Sequence, residues 1–86
     1  MTYKEACKIA LDVQNACNLS GVVRSWSEAL SAVWDEARRS GHGTDWVNTH
    51  PVSVLFSDKV LSLTGSDRSD AYRDAYSACS EISEGV

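Results

Sequence analysis

Apolar residues recur at three- and four-residue intervals in four separate stretches of this chain, with polar residues between them on the opposite faces. In the first stretch Ala6, Ile9, Ala10, Val13 and Cys17 form the stripe, and Lys4, Lys8 and Asp12 lie off it. Thr2 and Glu5 have the spacing of a capping box, in which a hydroxyl and a carboxylate satisfy free N–H groups at a helix start. A helix is predicted over residues 2–17, narrow and Ala-rich inside, so that a neighbour can lie close. The second stripe is Val22, Val23, Trp26, Ala29, Leu30, Val33 and Ala37, with Ser20 as its N-cap and Trp34 at its margin. Arg38 and Arg39 stand in the last turn, where cations favour the helix dipole, and Gly41 supplies the left-handed residue that ends the helix. The short turn at residues 18–21 makes these two helices an antiparallel hairpin.

The third helix is predicted over residues 51–63, with Val52, Phe56, Val60 and Leu63 on its main stripe and Leu55 on one flank. Val54 and Leu61 fall roughly opposite that stripe, and a helix apolar on two sides is either central or half-covered by a partner. Lys59 lies near the apolar edge, with its stem covered and its ammonium directed to a carboxylate or water. Ser66 or Ser69 caps a fourth helix whose stripe is Tyr72, Ala75, Tyr76, Cys79 and Ile82, and the pattern is lost from Ser80 onward, where fraying is expected. Between the second and third helices Gly41 and Gly43 precede Thr44, Asp45, Trp46, Asn48, His50 and Pro51, and helical periodicity must break there. Thr44 caps a short helical turn. His50 is pushed out of the helical region by the proline after it, and Pro51 starts the next helix at the position where its missing N–H costs nothing. The expected fold is all-α: one domain over residues 1–86, an antiparallel bundle of four helices with a short helical turn before the third.

Composition narrows the function classes. An apolar fraction of 43% with three Trp is too rich for a disordered chain, so a packed core is expected. Net charge is −4, and from residue 60 onward two basic residues face five acidic ones. Phosphate neutralisation needs clustered Lys and Arg, so direct nucleic-acid binding is not expected. Helix 2, the turn and helix 3 resemble a helix-turn-helix in outline, but the third helix offers base edges only Lys59. Charges run through the first twenty residues, which therefore read as neither an export signal nor a membrane span. Three cysteines without a close pair argue against a disulfide framework or a structural zinc site, and a reducing cytoplasm is the expected home.

The candidate chemistry is sparse. Asp45, His50 and a cysteine have the residue types of a nucleophilic site, since a thiolate needs a base and the base needs an orienting acid. All three cysteines fall on or beside apolar stripes, however, where a free thiol serves as a small hydrophobe. His42, His50 and Asp45 are the alternative, a metal-dependent enzyme, but they lack the spacing that puts two ligands on one helical face. The bland reading has Asp45 capping backbone N–H groups and His50 bonding the corner. No cofactor motif is found. Trp34, Arg38, Arg39, Val54 and Leu61 are candidate partner contacts, because interface anchors are rich in Trp and Arg. Asp67, Asp70 and Asp74 form an acidic set suited to a basic protein surface. Self-association through Val54 or Leu61, as a homodimeric accessory protein, is the competing use of the same apolar positions.

The run Ala16, Cys17, Asn18, Leu19, Ser20, Gly21, Val22, Val23 carries a resemblance. So does Gly43, Thr44, Asp45, Trp46, Val47, Asn48, continuing through His50, Pro51, Phe56, Asp58, Lys59 and Leu63. Together these are similar to a group of short proteins encoded by bacteriophages, prophages and other mobile elements. The likeness spans residues 16–65. What it implies is a context in which small acidic proteins inhibit host defence, anti-CRISPR proteins among them, by covering a surface of a larger complex. The expected function is therefore non-catalytic binding of a protein partner, a basic surface of a host defence nucleoprotein complex, in the bacterial cytoplasm.

Overall fold

Proline and glycine mark where this chain turns. The computed structural model describes residues 1–65 and 69–84. In them lie α1 (Tyr3–Asp12), α2 (Leu19–Ser40), α3 (Thr44–Asn48), α4 (Pro51–Leu63) and α5 (Ser69–Ser83), with a 3-10 turn at Val13–Asn15 after α1. The fold is an all-α bundle of four long helices and one short one, and no described residue is in a strand. α1 packs against α2, α4 and α5 at once. It can do so because its buried face is built from Ala6, Cys7 and Ala10, whose small side chains allow close approach on several sides. No helix among the described residues is long and apolar enough to cross a membrane.

The first helix is shorter than its periodicity predicts. It tightens into the 3-10 turn after Asp12, and Ala16 is already extended, with ψ 143°. The reason lies at the next helix start, where Asn18 rather than Ser20 is the N-cap. Asn18 is extended, and its Oδ1 accepts the Gly21 N–H at 2.6 Å. A Cβ on Gly21 would sit 2.9 Å from that oxygen, so the glycine is what lets the cap close. Cys17 thereby falls between the helices and is exposed, off the stripe on which it was predicted. Asn18→Ala is expected to cost about 1 kcal/mol, which lowers the melting temperature of a domain this size by roughly 4–8 °C. Circular dichroism melts of the two proteins check this.

At the other end of α2, Gly41 adopts φ 75°, and the N–H groups of Gly41 and His42 both return to the Ala37 carbonyl. This is the predicted left-handed stop. α3 begins one residue earlier than expected. Gly43 is its N-cap, and Thr44, predicted to cap, is already in the helix. α4 starts and ends where predicted, with Pro51 at its first position.

The core centres on Phe56, whose ring stacks on Trp26 at a centroid distance of 6.3 Å, with Val22, Val33, Val47, Val52 and Leu55 fully buried around it. Besides Cys17, three predicted stripe residues are exposed: Val23, Leu63 and Tyr76. Each lies at the edge or end of its stripe, beyond the width that a neighbouring helix covers. Lys59 does not seek a carboxylate. Its Nζ donates to the Gln14 carbonyl at 3.1 Å, and the Gln14 amide donates to the Leu55 carbonyl at 3.1 Å. The carbonyls at the end of a helix lack intrahelical partners, and the 3-10 turn offers one to the ammonium. α5 continues to Ser83, past the predicted fraying point, and the Ser83 hydroxyl donates to the Ser80 carbonyl in its last turn. Ser66 as a cap for α5, and Asp67 of the acidic set, lie outside the described residues.

Candidate functional site

His50 occupies the corner between α3 and α4, and its chemistry is set by two neighbours. The Val52 N–H donates to Nδ1 at 3.1 Å, so the imidazole itself caps α4. With Nδ1 accepting, the neutral ring carries its proton on Nε2, which lies 2.5 Å from the Tyr3 hydroxyl and donates to it. Burial pushes His50 down to about 4, and Tyr3 is pushed up to about 12 by burial first and by nearby thiols and Glu36 second. At neutral pH both groups are therefore uncharged. Trp46 meets His50 edge-on at 4.8 Å, and His42 stacks on the outer side of Trp46 at 4.4 Å. Below the ring, the Ser53 hydroxyl donates to the Val47 carbonyl at 2.8 Å and ties the first turn of α4 to α3.

This corner is a structural knot. A general base needs a nitrogen lone pair free to take a proton, and the only lone pair on His50 is spent on the Val52 amide. Asp45 and His42 are exposed at the rim, while His50 is buried among the aromatics. Asp45 was expected to cap backbone N–H groups, but α3 has no side-chain cap. Among the described residues no cluster of three or more His, Cys, Asp or Glu is placed to hold a metal ion.

The thiols divide into two kinds. Cys7 and Cys79 are buried where α1 meets α5, close enough for each thiol to perturb the other. The interaction with Cys7, with burial added, pushes the Cys79 thiol up. Cys17 is exposed, and its Sγ lies 3.8 Å from the Asn15 carbonyl. A thiol reagent added to the folded protein is expected to modify one equivalent quickly, at Cys17, and the other two only as slowly as the bundle opens. Peptide mapping after brief alkylation checks the assignment.

The predicted partner contacts scatter. Trp34 is half-buried and packed against the core. Arg38 and Arg39 are exposed, but each pairs with an acid one turn earlier on its own helix: Arg38 with Asp35, and Arg39 with Glu36 at 2.5 Å. Such exposed pairs contribute little to stability. Val54 and Leu61 are both half-buried, and only Val54 packs against the core. Asp70 and Asp74 are exposed on α5 and, among the described residues, neither is in an ion pair. Trp34 with its two arginines stands on α2 and the acids stand on α5, two helices that are not among the closely packed pairs of the bundle.

Sequence reasoning missed Tyr3. The signal was present: Tyr3, Ala6, Cys7, Ala10 and Val13 make a better helical stripe than one running to Cys17. It also missed Asp58, buried on α4 although charged residues rarely are. No family model, curated protein or solved structure matches the chain.

Proposed function

We propose that this protein acts by binding another protein, as an inhibitor of anti-CRISPR type that covers a basic surface of a host defence nucleoprotein complex. The observation that carries this reading is the acidic outer face of α5, where Asp70, Asp74 and Glu81 are all exposed. An exposed array of one sign steers and orients a partner of the opposite sign. The corner chemistry supports a non-catalytic role, since its histidine is committed to the fold. The likeness of residues 16–65 to short mobile-element proteins supplies the biological setting, and the residues that carry it include those that build the α2 cap and the α3–α4 corner.

The test is co-elution with purified, guide-loaded CRISPR effector complexes on gel filtration, at low and at raised salt. A stoichiometric complex with one effector, weakened by salt and by Asp70→Lys with Asp74→Lys, is the expected result. Failure to co-elute with any effector of a panel spanning the known architectures overturns the inhibitor reading.

A further inference from the structure

The α4–α5 junction has a shape that complements its charge. An open trough of about 380 Å³ runs along it, with Pro51, Val54, Ala71, Ala75 and Ala78 as its floor and Asp74 on its lip. The trough exists because α5 places alanines where a longer side chain would meet α4. Val54 and Ala71 also line a smaller adjoining hollow of about 90 Å³, shared with Asn48, Ser57 and Asp58. At about 100° per residue, Asp70, Asp74 and Glu81 fall within roughly 40° of one another, on the side of α5 that borders the trough. Arg73, the basic residue of the described helix, falls on the opposite flank of that acidic stripe by the same register. Among the described residues, no basic residue lines either depression.

We infer that this trough is the docking site for an amphipathic segment of a protein partner, in which one or two aliphatic side chains are flanked by lysine or arginine. The alanine and proline floor accepts the aliphatic groups, and the carboxylates along one lip meet the cations. Helix-in-groove recognition works by this division of labour, with apolar anchors for affinity and charge for register. Phosphate-bearing ligands are disfavoured by the same acids. The inference rests on the protein-binding reading above and gives it a place and a chemistry.

The probe is a short synthetic helix-forming peptide of leucine and lysine, with a control in which serine replaces every leucine at unchanged charge. Amide shifts of the isotopically labelled protein are followed during titration at about 50 mM salt, where screening is modest. The expected result is a set of shifts at Thr49, Val54, Ala71, Asp74, Ala75 and Ala78. Affinity is expected to fall roughly tenfold, about 1.4 kcal/mol, for the serine peptide and again for Asp70→Asn with Asp74→Asn. Ala78→Trp, which fills the trough but keeps the acids, is expected to cost at least as much, with its helical circular dichroism unchanged. Equal binding of the two peptides, no binding of the leucine peptide, or shifts confined to other helices would overturn the proposal. So would a dimer by light scattering that buries the trough against a second copy. If the peptide seats as expected but no defence complex is bound, the inhibitor reading fails and the docking site stands. If a defence complex is bound equally by Ala78→Trp, the docking site fails and the inhibitor reading stands.

Discussion

Phe56→Ala is expected to cost about 3–5 kcal/mol, the largest effect of any single substitution considered for this fold. Phe56 is fully buried, lies midway along α4, and stacks on Trp26 of α2 with an interplanar angle of 8°. Truncation removes the transfer energy of the ring and leaves a cavity between helices whose backbones cannot close it, because α1 already lies against α4. A chain of 86 residues has a total stability on the order of 5–10 kcal/mol, so the variant is left close to its unfolding midpoint. Urea denaturation followed by circular dichroism reads this as a large fall in midpoint with little change in slope. A loss under 1 kcal/mol would place Phe56 outside the centre of the core.

Acidification is expected to remove on the order of 2–3 kcal/mol through His50 alone. In the unfolded chain its pKa is ordinary, about 6.5. In the folded protein burial holds it near 4, and protonating Nδ1 would set an N–H against the Val52 N–H. The unfolded state therefore binds the extra proton between these two values, and stability rises with pH across that window. The contribution is fully present above pH 6.5 and is lost as the pH falls toward 4. His50→Asn keeps a side-chain oxygen to cap α4 but has no titrating ring. Its stability at neutral pH is expected to be lower, since the Tyr3 bond goes, but its fall on acidification is expected to be shallower than that of the parent. Denaturant midpoints of both proteins at pH 7, 5.5 and 4.5 give the difference, and parallel curves would contradict the assignment.

The helical class, the extent of α4 and the glycine stop of α2 were legible in the chain because each follows from a local rule. Proline cannot continue a helix but can begin one, and Gly41 takes the backbone conformation that other residues resist. The end of α1 was harder to read, because it depends on a competition. Asn18 must be extended to cap α2, and that requirement overrides the apolar spacing that carried the pattern to Cys17. Tyr3 and His50 were illegible as a pair, since 47 positions separate them and only the closing of the bundle brings them together. The same is true of Lys59 and Gln14. The trough was hidden for a different reason. Ala71 and Ala78 fall outside the predicted stripe of their helix, and only the placement of α4 shows that they leave open space above them.

The partner contacts show the same limit. Trp34 at the margin of its stripe suggested an anchor, and in three dimensions it leans on the core while its neighbouring arginines fold back on their own helix. Asp70 and Asp74 are exposed, since charge at the start of a helix and opposite its stripe stays in water. Their position beside an apolar trough was not available from periodicity alone.

The central claim, that this protein blocks a defence complex through the acidic side of α5, is tested most directly in cells. Phage plating is counted on bacteria whose CRISPR immunity targets that phage, with and without expression of this chain, and with Asp70→Lys and Asp74→Lys combined at matched protein level. The expected result is plaques restored by the parent and largely lost with the double variant. Restoration by both proteins alike, or by neither in any defence type tested, would contradict it.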